Sequence, residues 1–233
     1  MKKITKISLL LLLLGMAVII AVPFFKEKEA EKKSENGFKE IQESVTDKEE
    51  KSINVEKLKR ENEDCIGYLE VPGTSISYPI MQTRDNPDYY LNHDFNKNYS
   101  FYGTPYLSAY CDLERSDNLI IYGHNINGGK MFGVLEQYKD KAFLDNHRKI
   151  YFTTDKKRKY EVFAVMSVNI KEFEYWKFVM ARDEKDYGEF VEKVLEHSMW
   201  STGGKPQYGE QMLMLSTCDN GKGDDWRLVL IMQ

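Results

Sequence analysis

Apolar and polar positions along the chain fall into three regimes. Lys2, Lys3 and Lys6 precede an uncharged run at residues 7–25, with unbroken aliphatic stretches at 9–14 and 18–22. A run of that length suffices to cross a bilayer as a helix, for which about 20 residues are needed. Lysines on its leading side put that side in the cytoplasm. The run is continuous and has no clear small-x-small cleavage site, so residues 1–25 read as a retained membrane anchor rather than a cleaved signal peptide. A buried helix of a soluble protein is the third reading. At 26–51 Lys and Glu dominate and apolar residues are few. This segment reads as a charged extracellular stalk, partly helical through Glu/Lys pairs.

From Ser52 the pattern changes to short periodic blocks, and residues 52–233 read as one globular domain. Val55 and Leu58 suggest a short helix capped by Asn54 or Ser52. Residues 66–71 and 76–81 read as strands about the turn Pro72-Gly73-Thr74. Residues 85–98 are turn-rich, with a helical turn near Tyr89-Tyr90-Leu91, and 99–107 reads as short strand and turn. Asn118–Tyr122 is a strong strand ending at Gly123. Met131, Phe132, Leu135 and Tyr138 recur at helical spacing. Lys149–Thr153 and 159–168 form strands about Asp155-Lys156-Lys157. Residues 183–200 carry Phe190, Val191, Val194 and Leu195 on one face and make the strongest helix of the domain. Residues 211–217 and 227–232 are the closing strands. Seven or eight short strands, few helices and no βαβ alternation predict a mainly β domain, either a mostly antiparallel sheet or a closed barrel with helical decorations.

Composition narrows the function. With 42% hydrophobic and 13% aromatic residues the chain can build a real core. A net charge of -4 gives no electrostatic footprint for nucleic acid, and no such partner is expected. The three cysteines, Cys65, Cys111 and Cys218, are too few for a disulfide framework. Their odd number leaves at least one thiol without an intramolecular partner. Cys65 and Cys111 could pair, but nothing in their spacing favours it, and they read first as small buried apolar residues. No metal-ligand spacing and no phosphate-binding glycine loop is visible, so neither metal nor cofactor is expected.

Three residues stand out by position. The apolar run 213–217 ends in Cys218, a loop rich in Gly and Asp follows, and Arg227 sits on the next apolar run. The run 119–123 ends similarly in His124. A thiolate is a nucleophile. An imidazole can take its proton and later protonate a leaving amine. A guanidinium stays charged and offers a fork of donors for a carbonyl or an oxyanion. Together they suffice for acyl transfer through a thioester. No acidic third member is required, although Asp219 and Asp225 lie close in sequence. Taken singly, each has a structural reading: a strand-end cysteine as core, a histidine after Tyr-Gly as structural or surface, a C-terminal arginine as surface. His93 and His147 sit in polar loops, and His197 lies on the exposed side of a helix.

Three motifs in combination resemble a class B sortase of Gram-positive bacteria. They are Ile66-Gly67-Tyr68-Leu69-Glu70-Val71-Pro72-Gly73-Thr74, Tyr122-Gly123-His124-Asn125, and Leu215-Ser216-Thr217-Cys218 with Arg227 nine residues on. The resemblance runs from Val55 to the C-terminus, and the helix at 183–200 agrees with it. It implies an eight-stranded sortase-type β-barrel with an N-terminal helix and an inserted helix before the cysteine strand. It implies Cys218 as nucleophile, His124 as general acid/base and Arg227 as the residue holding substrate and oxyanion. The family signature is Thr-Leu-x-Thr-Cys, and Met214 departs from its first position. Ser216 and Thr217 fall near the family's substrate groove, with Asn92 and Tyr175 as further candidates. The reaction implied is transpeptidation. A C-terminal sorting motif of a secreted protein is cleaved after Thr, and the protein is joined to an amine of peptidoglycan or its lipid-linked precursor, without calcium. The enzyme would be a single-pass membrane protein with its catalytic domain outside. Other readings are a pilin-polymerising sortase, a Cys-dependent L,D-transpeptidase or cysteine protease, and a non-catalytic, membrane-tethered β-barrel binding module.

Overall fold

The structure, a computed structural model, describes residues 2–47 and 52–233; for residues 2–15, 17, 18, 20 and 47 it describes the backbone alone. Two compact units are present, Met1–Glu40 and Ile41–Gln233. The first is helical, part of α1 (Lys2–Val45). Most of the apolar run at 7–25 lies outside the described side chains, and the anchor reading lies there with it. Among the described residues no helix is long and apolar enough to cross a membrane. In the charged segment the helix carries the kind of pair its composition suggests, with Lys28 Nζ 2.9 Å from Glu31 Oε2.

The second unit opens on the last turn of α1. Val45 is buried, and Ile41 packs with it against Val55, Leu58, Tyr68 and Tyr90. Helix α2 (Val55–Glu61) follows, and the Asn54 side chain caps it by accepting from the Lys57 amide at 3.0 Å.

Eight strands then build the barrel: β1 (Cys65–Glu70), β2 (Ser77–Met81), β3 (Tyr106–Leu107), β4 (Asn118–Tyr122), β5 (Lys149–Thr153), β6 (Lys157–Asn169), β7 (Met212–Cys218) and β8 (Trp226–Met232). Their order is β6-β8-β7-β4-β3-β2-β1-β5, and β5 pairs back onto β6 to close the ring. The sheet is mixed: β7 runs parallel to β4, and β2 to β3. The alternation along each strand is that of the mostly antiparallel reading, but period 2 reports which face a residue takes and not the direction of its neighbour. Parallel neighbours need long crossovers, and the 82–105 segment supplies one of them, with its 3-10 turn Tyr89–Leu91.

Two elements differ from the pattern reading. Helix α4 (Glu184–Glu196) starts at an Asp183 cap, but it stops before residue 200. Ser198–Ser201 instead forms a ninth strand on the edge of β6, and the Trp200 indole N–H donates to the Lys139 carbonyl at 2.9 Å. Of the apolar positions at 131–138, Met131 ends the short strand Lys130–Met131, whereas Leu135 and Tyr138 lie in a 3-10 helix, Gly133–Lys139. A separate helix α3 (Lys141–Asn146) follows it, capped by the Asp140 side chain, which accepts from the Ala142 amide at 2.7 Å. Strand β7 is buried from Met212 through Thr217. Met214, the departure in the cysteine motif, is fully buried, and its sulfur accepts weakly from Asn118 Nδ2 at 3.6 Å. A thioether fills that place as core packing.

Candidate active site

Two strand pairings assemble the site. In the antiparallel β7/β8 hairpin Cys218 is directly opposite Arg227. Directly opposed residues point to the same face, so thiol and guanidinium are neighbours. In the parallel β7/β4 seam Ser216 is level with Tyr122. Two residues on from that pair lie Cys218 on one chain and His124 on the other. The seam extends past the strand ends: the Gly123 amide donates to the Ser216 carbonyl at 3.2 Å, and the Thr217 hydroxyl donates to the Gly123 carbonyl at 2.7 Å. The thiol, the imidazole and the guanidinium thus sit at one end of three adjacent strands.

Gly123 is required for this approach. A Cβ there would lie 2.8 Å from the buried Phe132 ring. Phe132 in turn ties the histidine loop back, its amide donating to the His124 carbonyl at 2.9 Å. Gly133 has the same reason to be glycine, since a Cβ would meet the Ile126 carbonyl oxygen at 2.1 Å.

His124 Nε2 lies 2.8 Å from the Leu91 carbonyl oxygen. A carbonyl oxygen only accepts, so Nε2 carries a hydrogen and Nδ1 is the nitrogen left to exchange a proton. Phe101 lies parallel to the imidazole, 7° between planes and 6.4 Å between centroids, and is itself largely exposed. Neither nearby aspartate partners the imidazole. Asp219 is buried and accepts from Lys139 and from the Ser167 hydroxyl, while Asp225 pairs with Lys171. The other histidines are held in ring stacks: His93 on Tyr89, His147 on Phe143 and His197 on Phe173.

Arg227 Nη1 donates to the carbonyls of Asp224 at 2.6 Å and Trp226 at 2.9 Å. Those bonds fix the plane of the guanidinium and leave the N–H groups of Nη2 and Nε for another acceptor.

The four residues considered for the groove fall in different settings. Tyr175 is buried, and its hydroxyl lies 2.7 Å from the Ser216 hydroxyl. Burial pushes the Tyr175 phenol up to about 12, so it stays neutral, and Arg227 and Cys218 lie near enough for their charges to act on it. Ser216 and Thr217 are also buried, with hydroxyls engaged inside the protein. Asn92 is exposed, one residue beyond the Leu91 carbonyl that holds His124. Sequence reasoning did not find Leu91, Phe101 or Glu136, and Asn125 entered only as the last residue of the Tyr122-Gly123-His124-Asn125 motif, with no role of its own.

All three cysteines are free, with Cys65 and Cys111 buried and Cys218 exposed. Burial pushes the Cys65 thiol up to about 12 and the Cys111 thiol up to about 11. At about pH 8 the Cys111 thiolate fraction is then roughly one in a thousand, and that of Cys65 smaller still. Brief iodoacetamide treatment of the folded chain is therefore expected to label Cys218 alone, which intact-mass and peptide mapping would read as one adduct per chain. Equal labelling of Cys65 or Cys111 would contradict their burial.

The fold and site define a closed mixed barrel with an exposed thiol, an imidazole and an arginine at one rim, a set chemically able to carry out thiol acyl transfer. Comparison with known proteins narrows it. A sortase domain family model matches residues 69–232. Sortase B of Listeria monocytogenes is 33% identical over 167 residues, 71% of this chain and 67% of that protein. The solved structure of sortase B from B. anthracis superposes with a TM-score of 0.75 at 29% identity, covering 90% of this chain and 97% of the other. A sortase B complexed with triglycine gives a TM-score of 0.75 at 25% identity, covering 88% and 97%. The chain belongs to the sortase family, in its class B. It is a cysteine transpeptidase of cell-wall sorting, associated with the cell envelope.

Proposed function

We propose that Cys218 attacks the carbonyl carbon of a Thr residue in a C-terminal sorting motif, with His124 as general acid/base and Arg227 as the donor to the oxyanion. The observation that carries this is the register. One antiparallel and one parallel pairing bring Arg227 and His124 to either side of an exposed Cys218. The sulfur adds to the carbonyl carbon and His124 takes up the thiol proton if it is still bound. Negative charge develops on the oxygen, where the free N–H groups of Arg227 can meet it. The C–N bond then breaks, His124 Nδ1 protonates the departing amine, and a thioester remains. An incoming amine attacks the thioester, loses its proton to His124, and expels the Cys218 sulfur with an amide bond formed. The triglycine complex of a relative supports an amine acceptor, since triglycine carries one. A peptidoglycan or lipid-linked amine is the acceptor class that fits wall sorting.

The groove residues extend this reading. Tyr175 and Ser216 hydrogen-bond to each other just inside the end of the cysteine strand, Thr217 keeps the two strand ends in register, and Asn92 is exposed next to the Leu91 carbonyl that meets His124. The direct test is incubation with Pro-x-Thr-containing peptides and mass spectrometry of the enzyme. The expected adduct sits on Cys218, with the mass of the fragment ending at Thr less one water. An adduct ending at any other residue, or none with a peptide that is cleaved, overturns the mechanism.

In the same reading residues 1–25 anchor the enzyme and the charged segment that follows spaces it from the bilayer. Substrate leaving the secretion machinery and a lipid-linked acceptor are confined to that surface, so tethering raises effective concentration without new contacts. A chain lacking residues 1–25 is expected to cleave peptide in solution at the full-length rate but to attach little protein in cells. Equal attachment by both forms, measured on isolated cell walls, would refute the tether.

A further inference from the structure

We infer that Asn125 and Glu136 form a brace that sets the position of the nucleophile relative to the histidine, and that both are positioning residues of the reaction. The inference rests on the reading of Cys218 and His124 as one catalytic pair. Asn125 follows His124 directly. Its Nδ2 donates to the Cys218 carbonyl at 2.7 Å and to Glu136 Oε1 at 2.7 Å. The same Glu136 oxygen accepts from the Asn220 amide at 3.2 Å. The residue after the histidine is thus tied to the nucleophile's own backbone, and the residue two past the nucleophile is tied to the same carboxylate.

The network continues beneath the turn. Glu136 Oε2 accepts from Lys139 Nζ at 2.5 Å, and Lys139 also donates to Asp219. The second Asp219 oxygen accepts from Ser167 on β6, and that hydroxyl accepts from Lys222 Nζ at 2.7 Å. Three consecutive residues, Cys218, Asp219 and Asn220, are therefore each held by side chains rooted in the histidine loop, in the helix Gly133–Lys139 and in β6. Lys139 is shared between the Glu136 and Asp219 carboxylates, which ties the brace to the buried aspartate beneath the turn.

The chemistry of the joint is specific. A carboxamide nitrogen has two hydrogens, and Asn125 spends one on each partner. A carboxylate of the same shape has none to give. Placement of this kind bears on rate, because a displacement of about 1 Å at the reacting atoms can cost on the order of 100-fold. Asn125 is half-buried and the Glu136 side chain is 30% exposed, so neither substitution hollows the core. Asp219 has a fully buried side chain and makes a poor probe, since losing it leaves a buried space and removes the acceptor of the Ser167 hydroxyl.

The test compares the full chain with Asn125→Ala, Asn125→Asp, Glu136→Ala and Glu136→Gln, each with its thermal unfolding midpoint. With a cleaved sorting peptide, Asn125→Ala and Asn125→Asp are both expected to lower kcat about 10- to 100-fold while KM stays within about twofold. Glu136→Gln keeps an oxygen for Asn125 and Asn220 and is expected within about threefold of the parent, whereas Glu136→Ala joins the Asn125 variants. The Asn125→Ala/Glu136→Ala double variant should lose little beyond the worse single change, the mark of two residues in one device. Asn125 variants with kcat within about twofold of the parent overturn the brace. A second readout needs no substrate: the pH midpoint for alkylation of Cys218 by iodoacetamide should move in Asn125→Ala, and an unmoved midpoint overturns the brace as well. If the parent chain cleaves no peptide, the proposed reaction fails while the alkylation midpoint still decides the brace.

Discussion

Replacing Cys218 with alanine is expected to reduce peptide cleavage by on the order of 10⁵-fold or more, to the limit of detection. It should leave the thermal unfolding midpoint within about 2 °C of the parent. The two halves of this expectation come from one fact. Cys218 is exposed at the end of β7, while every other residue of that strand is buried. Its side chain fills no core space, so its loss costs the fold little, and the backbone bonds that Asn125 and Arg227 make around it survive. The chemistry has no substitute, because Cys65 and Cys111 are buried thiols of raised pKa. Cys218→Ser sharpens the point: the hydroxyl keeps the shape, but at neutral pH His124 would have to deprotonate a much weaker acid. Serine is expected to recover no more than a trace of activity. A quenched-fluorescence peptide assay with intact-mass analysis checks both variants. Alanine activity above about one per cent of the parent would mean that another group is the nucleophile.

How much of this was legible beforehand depends on how local the determinant is. The β7/β8 hairpin was, because apolar runs flank a loop of Gly and Asp, and once the hairpin is drawn Cys218 faces Arg227. The Asn54 cap was legible for the same reason, as it acts within one helical turn. The nearness of His124 to Cys218 was not local. It rests on a parallel seam between residues 94 apart, which the Thr217 hydroxyl and the Gly123 carbonyl lock. Strand periodicity assigns faces and leaves partners open, so the motifs suggested the pair and the register explains it. Ser216 and Thr217 illustrate the limit at finer scale. A hydroxyl beside a nucleophile looks the same in sequence whether it faces a groove or bonds internally, and here both are buried and internally bonded. Glu136 and Lys139 show locally only as an i,i+3 pair, since their other partners, Asn125, Asp219 and Asn220, are brought close only by the fold.

Arg227→Lys, although it conserves charge, is expected to lower kcat/KM about 100-fold, and Arg227→Ala about 1000-fold. The guanidinium is held by two bonds from Nη1 to the backbone carbonyls of Asp224 and Trp226. That anchoring costs the side chain only one of its nitrogens and aims the remaining N–H groups as a fixed fork. A lysine ammonium has all its hydrogens on a single atom. If it satisfies the two carbonyls it is turned away from the substrate, and if it turns to the substrate it loses its anchor. The loss should therefore fall mainly on acylation, where the oxyanion forms, and less on substrate capture, where a charge at roughly the same place still counts. Single-turnover measurement of thioester formation separates the two: the acylation rate should fall by about the full factor while peptide binding weakens by no more than about threefold. An acylation rate in Arg227→Lys within about threefold of the parent would show that charge alone suffices, and would move the oxyanion donor to another group at this rim of the barrel.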